Sequence, residues 1–185
     1  MKYIFDFDDV IFYTTKHRLN HMFPILEKLG ISREQIDAYY KKTRLEGFSL
    51  RNTLNFFFPH QKKDEHESLH EEIMQSGKNY INIELMEFIK KLGKENCFLI
   101  THGGGEFQKE KIRRAGAEPL FSEIIILIGS KKEAVEKICE KFKNETVVFV
   151  DDKPQYFEDL DFKKYPNLKT VLYTRQKFDV NDFSG

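Results

Sequence analysis

The sequence predicts a three-layer α/β protein, a doubly wound parallel sheet between helices, with a helical segment inserted after the first strand. Three observations carry this prediction. Five short apolar runs read as strands buried on both faces, because they are nearly continuous rather than alternating in polarity. From residue 82 onward the runs alternate with helical patterns, as right-handed βαβ units do. Between the first run and the second, residues 14–81 show helical spacing and no convincing strand.

The first strand is Tyr3-Ile4-Phe5, aromatic and β-branched, and it ends in Asp6-Phe7-Asp8-Asp9. The others are expected at 97–100, leading to Thr101; at 123–128; at 146–150, leading to Asp151-Asp152; and at 169–173. Helices between them are expected at 82–92 and 131–142, where apolar residues recur at helical spacing, and at 106–115, which is polar with apolar Phe107 and Ile112; Gly93 and Gly116 act as stops. Within the insertion, helices are expected at 18–29, 33–45, 50–58 and 63–76, broken at Gly30, Gly47, Pro59 and Gly77. Pro24 lies inside the first of these and should kink it or shift its start. The resulting division is a core of residues 1–13 and 82–185 with an insertion of residues 14–81.

Bulk properties bound the function. The 185 residues suffice for one core and a modest insertion, and 40% hydrophobic with 32% charged residues fits a folded chain. With 18 Phe and no Trp, aromatic packing falls largely to phenylalanine. Thirty basic residues balance thirty acidic ones, so no global field attracts nucleic acid or an anionic membrane. No apolar stretch is long enough to span a bilayer, and the N-terminus is unlike a signal peptide. Cys97 and Cys139 sit in apolar contexts and are expected to be reduced, buried thiols. A cytoplasmic location is the expectation, and no obligatory protein partner is evident.

The chemistry concentrates at strand ends. Asp6 and Asp8, Thr101, the Ser130-Lys131-Lys132 stretch, and Asp151-Asp152 would converge on one edge of a parallel sheet. Crowded carboxylates repel and lose hydration, so they call for a cation or a developing positive charge. Acids, one hydroxyl and an ammonium form an inventory suited to phosphoryl transfer through a covalent aspartyl phosphate.

In that order, Phe5-Asp6-Phe7-Asp8-Asp9-Val10, Leu99-Ile100-Thr101-His102-Gly103, Lys131 and Phe149-Val150-Asp151-Asp152 resemble the motifs of the haloacid-dehalogenase-like superfamily of phosphatases and phosphotransferases. Gln108-Lys109-Glu110-Lys111-Ile112 and Ala115-Gly116 also resemble its helix after the threonine. The resemblance implies a Rossmann-like core and a helical cap over the cleft. It makes Asp6 the nucleophile and Asp8 the general acid, then base. Mg²⁺ would be held by Asp6, the Asp8 carbonyl and Asp152, with Asp151 acting through water. Thr101 and the His102 N–H would bind a phosphoryl oxygen, and Lys131 would neutralise it, with Lys132 as an alternative. Superfamily members that cleave carbon–halogen bonds lack the second acid, so Asp8 favours Mg²⁺-dependent hydrolysis of a small phosphorylated metabolite. Phosphomutase chemistry uses the same residues, and a non-catalytic phosphate-binding protein is a further alternative.

Departures from the pattern leave some roles open. No Pro follows the lysine, Lys153 is either a phosphate contact or exposed, and Asp9 stands where Gly is frequent. For Asp9, capping serves as well as chemistry. Gly103-Gly104-Gly105 lacks the Lys-Ser/Thr ending of a nucleotide-binding loop and reads as a turn into the next helix. His66-Glu67-Ser68-Leu69-His70 matches a zinc-protease pattern, but its charged surroundings favour an exposed helix. His17 and His21, one helical turn apart after the first motif, are a surface pair or substrate contacts.

Overall fold

The computed structural model describes residues 1–174. Among them, β1 (Lys2–Phe5), β2 (Cys97–His102), β3 (Glu123–Leu127), β4 (Val147–Asp151) and β5 (Leu168–Leu172) form a sheet in the order β3-β2-β1-β4-β5. Every neighbouring pair is parallel. Strand order reverses about β1, so its carboxyl end is the switch point where such sheets form a ligand crevice. Ile4 lies opposite both Phe98 and Phe149, which sets three strand ends side by side.

Alternate residues of each strand face opposite layers. Phe5, Cys97 and Leu99 pack with Ile89 of α6 (Ile83–Leu92) and Ile112 of α7 (Gly105–Arg114). Ile4, Phe98, Ile100 and Phe149 pack with Val135, Ile138 and Cys139 of α8 (Lys132–Lys141). Each fully buried Phe or Ile contributes about 1.5–3 kcal/mol, so both faces of the sheet are firmly covered. Both cysteines are free and buried, and burial pushes each thiol up to about 11. No helix among the described residues is long and apolar enough to cross a membrane.

Between β1 and β2 the chain forms α1 (Thr14–His17), α2 (Phe23–Lys28), α3 (Arg33–Thr43), α4 (Leu50–Phe57) and α5 (Lys63–Ser76). Ser32 caps α3 in a reciprocal box with Gln35, and Ser49 caps α4 through the Asn52 N–H. The helix expected at 18–29 is in pieces. A π-helical turn, Arg18–Met22, joins α1 to α2, and Pro24 occupies the first turn of α2, where its missing N–H costs little. These elements bury Met22, Phe23, Leu26, Ile36, Leu50, Leu54, Ile73 and Met74 together, with Phe107 of α7 packed against them.

Strand bounds shift slightly from expectation. The third strand ends at Leu127 rather than 128, the fourth takes in Asp151, and the fifth begins at Leu168. The last of the residues expected in the core, 175–185, lie outside the described ones.

The glycines have specific work. Gly47, at φ +94°, abuts Gly104, where a Cβ on Gly47 would fall 2.6 Å from the Gly104 Cα. Gly104 is the residue before α7, so the triple-glycine turn lets the insertion's loop approach backbone to backbone.

Candidate active site

Asp6 leaves β1 with its N–H bonded to the Val150 carbonyl at 2.9 Å, and its side chain is buried. The Lys131 Nζ reaches 2.8 Å from Asp6 Oδ1 and 2.6 Å from Asp151 Oδ2. Lys131 is fully buried at the entrance to α8. Burial opposes its charge, but Asp6 and Asp151 outweigh that and raise its pKa. This settles which lysine faces Asp6. Lys132 is turned outward to Glu136 at 2.6 Å and to the Asp159 carbonyl.

Asp151 has both oxygens engaged, Oδ2 by Lys131 and Oδ1 by the Lys153 N–H at 2.9 Å. It therefore anchors the lysine, and the expected water-mediated metal contact must share oxygens that already hold donors.

Oxygens of Asp6, Asp151 and Asp152 lie within 4.8 Å of one another. Asp6 Oδ1 and Asp152 Oδ1 are buried without a hydrogen-bond donor, the former despite the nearby ammonium, which lies off bonding geometry. Burial, above all, raises the Asp6 pKa against the pull of Lys131. Burial likewise lifts Asp152 to about 6, with Lys153 opposing and Asp6, Asp151 and Asp9 reinforcing. Crowded anionic oxygens at this spacing, short of hydrogen-bond donors, fit a hard divalent cation.

Asp8 has a contrasting environment. Its Oδ1 accepts from the Thr14 hydroxyl and the buried Lys111 ammonium, and its Oδ2 from Gln108 Nε2 at 2.8 Å. Burial works to raise its pKa, but Lys111 and these hydrogen bonds outweigh it and hold the carboxyl below its ordinary range. Gln108 also donates to Thr101 Oγ1 at 2.9 Å, and its own Oε1 accepts from Lys111 at 3.0 Å. One amide thus links the Thr101 hydroxyl to Asp8. Neither Gln108 nor Lys111 was singled out from the sequence as a site residue. Their signal is an i, i+3 pair on the helix that follows the Thr101 loop.

Asp9 occupies the left-handed region at φ +61°, which accounts for glycine being frequent there, and which Asp tolerates. Its carboxylate accepts from the Thr15 N–H at 3.0 Å and from the Thr15 hydroxyl, so it ties α1 to the acid loop.

His102 lines the same cavity, its pKa lowered first by burial, then by Lys131 and Lys153. His17 is buried, not a surface residue. Its Nε2 lies 3.1 Å from the Ile73 carbonyl and 2.8 Å from Ser76 Oγ, and burial pulls it down to about 4. It borders the cavity, whereas its stacked neighbour His21 does not.

The His66–His70 pair forms no metal site. His66 engages Asn55 Oδ1 and the Phe58 carbonyl, both at 2.9 Å. His70 corrects the expectation of an exposed helix, because it is buried 3.5 Å from Glu110 of α7. Among the described residues, Asp6, Asp151 and Asp152 are the grouping suited to a metal.

Sheet topology and strand-end chemistry together define a doubly wound α/β protein with a carboxylate-and-lysine centre at its switch point. A family model for haloacid dehalogenase-like hydrolases matches residues 3–171, and the chain belongs to that family. The fold is shared with a haloacid dehalogenase-like hydrolase from Burkholderia xenovorans LB400 (TM-score 0.69, 16% identity, 92% of this chain and 80% of that one). It is shared also with the magnesium-bound HAD-hydrolase YfnB of Bacillus subtilis (TM-score 0.51, 16% identity, 92% and 85%). A third is the L-2-haloacid dehalogenase of Xanthobacter autotrophicus with chloropropionic acid covalently bound (TM-score 0.56, 11% identity, 96% and 78%). No curated protein matches the sequence.

Proposed function

We propose that this hydrolase cleaves small phosphomonoesters through an aspartyl phosphate on Asp6, with Mg²⁺ as its cofactor. The observation that carries the proposal is the buried Asp6 carboxylate, held beside Lys131 in the cavity lining and flanked by a second, separately bonded acid, Asp8. In this reading, residues 1–13 and 82–185 are the core, and residues 14–81 are a cap that excludes water from the cleft.

An Asp6 oxygen attacks phosphorus in line, forming the acyl phosphate as the ester P–O bond breaks. The departing alkoxide needs a proton, which is why Asp8 favours a phosphate ester over a halide. In the geometry described, Asp8 is an anion held by three donors, the form that takes a proton from water in the second step. For the first step it must leave Lys111 and carry a proton to the leaving oxygen. Lys131 holds Asp6 in place and balances phosphoryl charge, while Gln108, by donating to Thr101 Oγ1, leaves that hydroxyl's proton free for a phosphoryl oxygen. Bound by Asp6, Asp152 and the Asp8 carbonyl, Mg²⁺ would supply further neutralisation of phosphoryl charge. The clustered oxygens of Asp6 and Asp152 support this, as does the magnesium in the Bacillus subtilis relative.

Asp6→Asn should reduce Mg²⁺-dependent hydrolysis of an aryl phosphate to background, at least roughly a 10³-fold loss. Unchanged turnover in that variant would overturn the proposal.

A further inference from the structure

The cavity around Asp6 has a volume of about 540 Å³ and extends to the inserted helices. Its wall changes character there. The acid loop contributes Asp6, Asp8 and Asp9, but residues 14–81 contribute no carboxylate to the lining. They contribute the cations Arg18, Arg44 and Lys78 among apolar side chains that include Tyr40 and Phe48.

Arg18 is the residue most constrained for recognition. It begins the π-helical turn, a local widening that is frequent at functional sites. Its guanidinium sits 4.1 Å from the Tyr40 ring centroid, and its buried Nε has no hydrogen-bond acceptor. Arg33 pairs with Glu27, Arg51 with Glu67, and Arg114 with both Glu71 and Glu110, whereas Arg44, which also lines the cavity, and Arg113 make no ion pair among the described residues but leave no buried donor without an acceptor. Arg18 makes no ion pair among the described residues. A guanidinium stacked on a ring is fixed in orientation, so little freedom is lost when its planar fork meets an anion. An unsatisfied buried donor costs free energy until an acceptor arrives.

We propose that Arg18, seated on Tyr40, is a subsite for a second anionic group on the substrate. The substrate is then a phosphomonoester whose leaving alcohol carries a carboxylate or second phosphate on an apolar body, with Phe48 among the residues that line its path. This inference rests on the phosphatase reading.

The test compares phenyl phosphate with 4-carboxyphenyl phosphate and 1,4-phenylene bisphosphate, with Mg²⁺ present. At least one doubly anionic ester should exceed phenyl phosphate in kcat/KM by roughly tenfold or more. The arm that does so identifies carboxylate or phosphate. Arg18→Met should bring that ratio close to one, and Arg18→Lys, which keeps charge without the planar fork, should retain part of it. Because the ratio is taken within each variant, partial misfolding does not mimic the effect. Turnover without preference, or a preference that survives Arg18→Met, overturns the subsite and leaves the phosphatase reading standing. If no ester is turned over, calorimetry with 4-carboxyphenyl phosphate separates the two. Binding that Arg18→Met weakens tenfold keeps the subsite and overturns phosphatase activity, whereas no binding overturns both.

Discussion

Asp6 and Asp8 are two residues apart, yet they occupy electrostatically opposite regions. Around Asp6, one buried ammonium is divided between Asp6 and Asp151, Asp152 has only the partly exposed Lys153 at 3.8 Å, and oxygens of Asp6 and Asp152 lack a well-aligned hydrogen-bond donor. Around Asp8, one acid has a lysine, a hydroxyl and an amide to itself. Burial raises both pKa values, but only at Asp8 do the donors outweigh it. Environment, not residue type, thus separates the pair, and separated carboxylates are what a two-role mechanism needs. The Asp6 region is short of positive charge, and the Asp8 region is complete.

The largest way to break this comparison is to remove the cation of the Asp6 region. Lys131→Met would leave Asp6 and Asp151 buried side by side. It should cost about 3–5 kcal/mol at neutral pH, read by urea denaturation. Lowering the pH should recover part of that loss, because protonation removes the repulsion. A cost below about 1 kcal/mol would mean that the acids are already neutral, and the charge-poor description would fail.

Much of this was legible in the sequence. Near-continuous apolar runs disclosed the strands, and the acids after 5 and 150 disclosed the site, because parallel topology carries strand ends to one edge. What was not legible depends on side-chain direction. Lys131 and Lys132 are adjacent and chemically alike, and only the start of α8 turns one inward to Asp6. His70 looked solvated because its sequence neighbours are charged, yet the helix turns it toward Glu110. Gln108 and Lys111 read as ordinary polar helix residues until α7 is placed beside the acid loop. Likewise, the i→i+5 turn at Arg18 has no simple signature in residue pattern.

A smaller effect tests the completed region. Lys111→Met removes a buried charged donor from Asp8 and should cost on the order of 2 kcal/mol at pH 7. The sign follows from linkage. A carboxylate whose folded pKa is depressed contributes stability above its unfolded pKa and loses it as pH falls through the folded one. The difference between wild type and variant should therefore shrink below pH 4 or so, where the unfolded chain's aspartates protonate. A difference that is flat across that range would mean that Lys111 acts through packing on Phe7 and Phe107, whose rings its ammonium also approaches, rather than through Asp8.

The smallest effect sharpens the charge-poor side and has the opposite sign. Asp152, lifted to about 6 chiefly by burial, is less readily ionised folded than unfolded. Its contribution is fully present below the unfolded aspartate's value of about 4 and is lost as pH rises from there through about 6. Asp152→Asn should therefore stabilise the metal-free protein at pH 8, by about 1 kcal/mol because the carboxylate is partly solvated. Saturating Mg²⁺ should stabilise wild type, since a ligand of the folded state alone shifts the equilibrium toward it, and should stabilise the variant much less. Thermal melts at pH 5 and pH 8, with Mg²⁺ and with EDTA, read all four states. If Asp152→Asn is neutral in EDTA and still gains fully from Mg²⁺, Asp152 is neither strained nor a ligand, and the shortage of charge belongs to Asp6 alone.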